Sequence, residues 1–209
     1  EKFKAHESAI EPQTRTSQKT SEALLKPVSG SLSDLRNQAI SCEKCGLSKV
    51  DSRDALSGLN TDAKVLFITE PSGNKSDEEM NPLSGASGDL FAKMIQAMKV
   101  TVEDVYVAQV HRCRLKEKET VAPHELALLE QIKKLKPAVI VTFSPAALRL
   151  FCDKQSINDC RGEWINWQGT PVMPTYSPSF LLRSENVYGK TKKKQTWQDL
   201  QEVMKVFTK

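Results

Sequence analysis

The chain predicts an α/β fold, a three-layer α/β/α domain around a largely parallel central sheet, and three observations carry that expectation. Largely apolar runs of strand length recur at 63–69 (AKVLFIT), 104–111 (DVYVAQVH) and 137–143 (PAVIVTF), the pattern of strands buried on both faces. Between them lie segments whose apolar residues fall three and four apart, as one face of a helix requires. The two kinds of segment alternate, which is the order that builds a parallel sheet with helices on both sides.

Taken in order, residues 1–30 mix charge, Ser, Thr, Gln and Pro without an apolar period and read as a disordered tail, leaving 31–209 as the folded domain. Ser31 or Ser33 can cap a helix carrying Leu35 and Ile40, which leads into a first pair of cysteines. The first strand stops at Pro71-Ser72-Gly73. GDLFAKMIQAMKV then sets Leu90, Phe91, Met94, Ile95 and Met98 on one helical face. The second strand is followed by APHELALLEQIKKLK, where Pro123 sits near a helix start and Leu126, Leu129 and Ile132 share a side. After the third strand come PAALRLFC, read as a helix, GEWINWQGTPVMPT, a hairpin or paired strands, and TWQDLQEVMKVF, a closing helix. Ligands of such folds gather at the carboxyl ends of the strands. Here those ends are TEPSG, QVHRC, FSPAA and TYSPS.

Length and charge bound the function. A chain of 209 residues can bury a proper core as one domain. Net charge is only +4, yet Arg183, Lys190, Lys192, Lys193 and Lys194 crowd one stretch. That run reads first as a solvated, flexible loop and second as a landing place for a polyanion. No run of 18 apolar residues and no signal-peptide pattern occurs, so the expectation is a cytoplasmic protein with no membrane partner. Five cysteines, an odd number without a secretion signal, argue for free thiols or a metal site over a disulfide framework.

Seven segments in register, CEKCGL, PLSGASGDLF, VYVAQVHRCR, KPAVIVTF, RGEWINWQGTPVMPT, SPSFLLR and TWQDL, give the chain a resemblance to the family-four uracil-DNA glycosylases, the iron-sulfur branch of that superfamily. The resemblance runs from roughly residue 33 to 207. It implies a single α/β/α domain that binds DNA, takes a uracil out of the stack and cuts its glycosidic bond without a flavin or nucleotide cofactor. Such an enzyme must read the edge of the flipped base, stack on its face and support the charge that develops as the bond breaks.

Measured against the family pattern, the chemistry-bearing positions have changed. Glu70 matches the acidic residue of the first turn, where it can equally cap backbone N–H groups. The acidic position just after Gly73 falls on Asn74, with Asp77 and Glu78 close behind. Leu83 stands where the stacking aromatic belongs and offers no π face. Gln109 takes the place of the asparagine that reads the pyrimidine edge, longer by one methylene and still able to donate and accept. Ser177 replaces the histidine that would donate to a uracil oxygen, and a hydroxyl is shorter than imidazole and never cationic. His111, two residues past Gln109, is a candidate substitute or a structural hydrogen-bonding group.

By the same resemblance Cys42, Cys45 and Cys113 match three of the four thiolates that hold a [4Fe-4S] cluster, while the fourth position falls on Leu129. His124 lies in the same segment. A cluster with an unusual fourth ligand, a zinc held by three cysteines and a histidine, and an empty site all remain open. Cys152 and Cys160 read as core residues. Features for DNA contact survive better: small residues Ser87 and Gly88 at a helix start, Phe180 and Leu181 as wedges into a base stack, and Arg183 for a phosphate. Leu181 and Leu182 read equally well as core. The expectation is a glycosylase-like DNA-binding or protein-binding module of replication or repair that has lost base excision, its tail contacting a protein partner. The alternative is an active glycosylase with a rearranged pocket using Asp77, Gln109 and His111.

Overall fold

The computed structural model describes residues 34, 62–69, 85–101, 104–110, 121–154, 156–184 and 189–207. Its order is β1 (Val65–Thr69), α1 (Gly85–Ala97), β2 (Val105–Gln109), α2 (Val121–Leu135), β3 (Val139–Thr142), α3 (Pro145–Leu148), β4 (Ile165–Trp167), β5 (Thr170–Pro174), α4 (Pro178–Arg183) and α5 (Gly189–Phe207). The five strands form one sheet in the order β2-β1-β3-β5-β4. Four of them are parallel, and β4 runs antiparallel to β5. The α/β/α expectation holds.

Parity along the strands sorts the core into two layers, because successive side chains point to opposite faces. Leu66, Ile68, Tyr106, Ala108, Ile140 and Val172 face one way and pack against Leu128 and Ile132 of α2. Val65, Phe67, Val105, Val107, Val141 and Met173 face the other and meet Phe91 and Ile95 of α1 and Leu200 and Val203 of α5. Both sets are apolar, which is why the strands read as continuous hydrophobic runs instead of alternating ones. Phe67, Phe91 and Phe143 pack as a trio with centroid separations of 5.0, 5.6 and 5.8 Å. A third cluster, Leu148, Ile157, Cys160, Tyr176 and Leu181, forms beyond the carboxyl end of the sheet, with Leu90, Met94, Cys152 and Phe180 against it. Cys152 and Cys160 are therefore core residues.

Three elements differ from the sequence expectation. PAALRLFC is helical only over Pro145–Leu148, then turns, with Phe151 set edge-on to Trp167 at 5.4 Å. SPSFLLR, read above only for its wedge and phosphate residues, is the short helix α4, capped by Ser177. The lysine run is not a loop, since α5 begins at Gly189 and Lys190–Lys194 occupy its first turns. Lysine has good helix propensity, but with no apolar residue among those positions the helix carries no periodic signal until Trp197. The expected helix around Leu35 and Ile40 lies outside the described residues apart from Asp34, as does the 1–30 tail.

Candidate functional site

Hydrogen bonds carry the sheet past its last strand residues: Val110 N–H donates to Thr69 O, Phe143 N–H to Ile68 O, and Thr175 N–H to Thr142 O, each at 3.0 Å. The chain thus leaves β3 and β5 side by side, and each exit has the same form, Thr-aromatic-Ser-Pro. Ser177 has extended backbone dihedrals, and its Oγ accepts from the Phe180 N–H at 3.1 Å. It also lies 3.1 Å from Ser179 Oγ. Pro178 at the first helical position has no N–H to satisfy and a φ already suited to the helix. Ser177 is thereby a helix N-cap.

The residues just before it are held from α5. Asp199, 2% exposed, accepts from Thr175 Oγ1 at 2.6 Å and from Arg161 Nε at 3.0 Å, with a second Arg161 nitrogen on its other oxygen. Arg161 also donates to Gln195 O at 3.3 Å. Gly162, next to it, has φ +76°, and a Cβ there would stand 2.8 Å from Asp199 Oδ1, so no other residue fits without displacing the carboxylate. Gly162 N–H donates to Pro174 O at 3.1 Å and closes the network onto β5. Two turns earlier on α5, Lys192 Nζ donates to the Tyr176 hydroxyl at 2.6 Å, and that hydroxyl donates to Asn158 Oδ1 at 2.9 Å. Tyr176 in turn stacks on Phe180 with centroids 4.9 Å apart. One face of α5 thus fixes both residues that precede Ser177. Apart from Lys192, read only as part of a basic run, sequence reasoning assigned these residues no role. The signal was present, since RG and TWQDL are among the segments that carry the resemblance and had no chemistry attached to them.

Phe180 is half-buried on the Tyr176 ring, and Arg183 is exposed at the end of α4. Leu181 is 2% exposed and packs with Leu148 and Tyr176, so it belongs to the core and not to a wedge. The physical reason is helical: once Ser177 starts a helix, Leu181 falls on its inward side. Ser87 and Gly88 lie in the first turn of α1, where helix N–H groups have no intrahelical partner. Gly88 is buried there, and Leu90 and Met94 of α1 pack toward the cluster containing Leu181. Gln109, buried at the end of β2 and in register with Thr69, lies three strand spacings from β5, about 14 Å. The ends of β1 and β3 lie between them. Glu70, Asn74, Asp77, Leu83 and His111 are outside the described residues.

Cys42, Cys45 and Cys113 also lie outside the described residues, and His124 falls within α2 without a described side chain. Leu129 is half-buried against the core face formed by Leu66 and Tyr106. A hydrocarbon side chain cannot ligate, so Leu129 could not supply a fourth ligand to a cluster held by Cys42, Cys45 and Cys113. The Cys160 thiol is pushed above the usual range, first by burial and then by the neighbouring Cys152, and it donates to Ser156 O at 3.0 Å. That is the state of an inert structural thiol.

The class to which this parallel sheet with its capped helix starts belongs is assigned by the chain's sequence. The profile of the uracil DNA glycosylase superfamily matches residues 57–201, and the chain belongs to that superfamily. Within it the similarity is to proteins named type-4 uracil-DNA glycosylase. That of Thermotoga maritima is 34% identical over 153 residues, covering 69% of this chain and 80% of the relative. That of Archaeoglobus fulgidus is 31% identical over 116 residues (53% and 58%), and that of Saccharolobus solfataricus 27% over 156 (68% and 72%). No helix of the described residues is long and apolar enough to cross a membrane.

Proposed function

We propose that this chain is a DNA-binding protein on a uracil-DNA glycosylase scaffold, in which base excision has been given up at Ser177 and binding retained. One observation carries the reading: the Ser177 hydroxyl accepts from the Phe180 N–H and is paired with Ser179. A group that supports a departing base must aim a donor at the oxygen gaining charge. Losing one such donor costs about 3 kcal/mol, roughly a hundredfold or more in rate. The changes at Asn74 and Leu83 point the same way.

Binding draws on what remains. Phe180, backed by the Tyr176 ring, is the apolar side chain that can press on a base step, with Arg183 for a phosphate and the first turn of α1 at Ser87 and Gly88 for another. Gln109 keeps the capacity to read a base edge. The role is that of a module in replication or repair, with residues 1–30 as its protein-binding segment. Purified protein incubated with uracil-containing single-stranded and duplex oligonucleotides tests this. The expected outcome is a shifted complex with no abasic sites above background. Abasic sites lost on substitution of Gln109 or His111 would establish the rearranged-pocket enzyme instead.

A further inference from the structure

The lysines of α5 divide by helix geometry. At about 100° per residue, Lys192 falls on the side of α5 that carries Asp199, and its ammonium is committed to the Tyr176 hydroxyl at 2.6 Å. Lys190 and Lys194, one turn apart, fall on the opposite side and are exposed. Continuing along that side, Gln198, Gln201 and Lys205 are also exposed. Asp199 is turned inward onto Arg161, and Glu202 is paired with Lys205 at 2.5 Å. The outward face of the first three turns therefore presents amide donors and positive charge without a carboxylate. Neither Lys190 nor Lys194 is in an ion pair among the described residues.

The Lys190 charge works against the helix that carries it. The amino-terminal end of a helix is the positive end of its dipole, where carboxylates stabilise and ammonium groups do not, and no acidic residue occupies the first turn of α5. Charge held against local preference points to a partner that repays it elsewhere. The same end of the helix is tied, through its other side, to the candidate site. Lys192 ties this end of α5 to Tyr176, the residue before Ser177, and α4, which starts at Ser177, ends in the exposed Arg183.

We propose that the outward face of the first turns of α5, through Lys190 and Lys194 and on the side of the helix turned away from Tyr176, is an anchor for the DNA phosphate backbone. It engages charge and not sequence. The inference rests on the DNA-binding reading above and adds to it a set of contacts on a separate helix. Anisotropy of a labelled, uracil-free duplex titrated with the full chain over a salt series tests it. Lys190→Ala with Lys194→Ala should lower the slope of log K against log salt by about 1–2 and weaken binding equally for unrelated sequences. Lys205→Ala, at the far end of the same helix, should leave the slope in place. Lys190→Glu should raise the thermal midpoint by about 1–3 °C while DNA affinity falls, the sign of a residue kept for binding at a cost in stability. If the unmodified chain binds DNA and the double variant keeps its slope, the anchor is refuted and the DNA-binding reading stands. An equal loss from Lys205→Ala would reduce the effect to net charge and refute it too. Absence of any salt-dependent DNA binding by the unmodified chain would overturn both.

Discussion

Thr142-Phe143-Ser144-Pro145 and Thr175-Tyr176-Ser177-Pro178 leave adjacent parallel strands side by side, and in both the serine Oγ accepts the N–H three residues on at 3.1 Å. Their surroundings separate them. At the first exit Phe143 joins the aromatic trio, Ser144 is buried, and Thr142 Oγ1 is buried with no hydrogen-bond partner among the described residues. At the second, Thr175 donates to Asp199, Tyr176 is bonded to Lys192 and Asn158, and Ser177 is partly open to solvent. One tetrapeptide thus serves as a buried corner on β3 and as a polar-braced, accessible turn on β5. The lesson is that the Ser-Pro pair specifies a helix start, while the surrounding elements decide whether that start is buried or accessible.

The largest effect expected from breaking the comparison is at Asp199. Asp199→Ala strands the part-buried Arg161 and the Thr175 hydroxyl, and should cost about 3–5 kcal/mol in chemical unfolding. The paired threonines should then diverge: Thr175→Val loses the 2.6 Å bond and leaves a buried carboxylate oxygen short of a donor, costing about 1–3 kcal/mol. Thr142→Val removes a buried hydroxyl that has no hydrogen-bond partner among the described residues and should be neutral or stabilising. A matching loss at both sites would show that the two exits are held alike. Between the caps, Ser144→Ala should cost more than Ser177→Ala, about 1–2 against about 1 kcal/mol, because water can reach only the second freed N–H. The smallest effect concerns rate: the buried, raised Cys160 thiol should alkylate far more slowly than the half-buried Cys152 in native protein, and the two should converge in denaturant.

The sheet was legible because its strands are buried on both faces and so read as unbroken apolar runs, and the hairpin at 165–174 was legible from its composition. The start of α5 was not. Periodicity depends on buried apolar residues, and the first turns of α5 have none, being held by Lys192 on Tyr176 and Thr196 on the Lys192 carbonyl. The serine at 177 could be seen in sequence, but not what it does, since a cap is visible only once the segment is known to be helical. Leu181 shows the same limit: wedge or core is decided by which side of α4 it occupies. The bracing of the turn was hidden by distance, because Thr175 and Asp199 are 24 residues apart and neither carries a pattern alone.

Single-turnover release of uracil by the unmodified chain, set beside Ser177→Ala with both confirmed as folded, tests the assignment of Ser177 as a structural cap most directly. The expected result is no release from either protein and a lowered unfolding midpoint for the alanine variant. Release by the unmodified chain that disappears in the alanine variant, with the folded population unchanged, would contradict it.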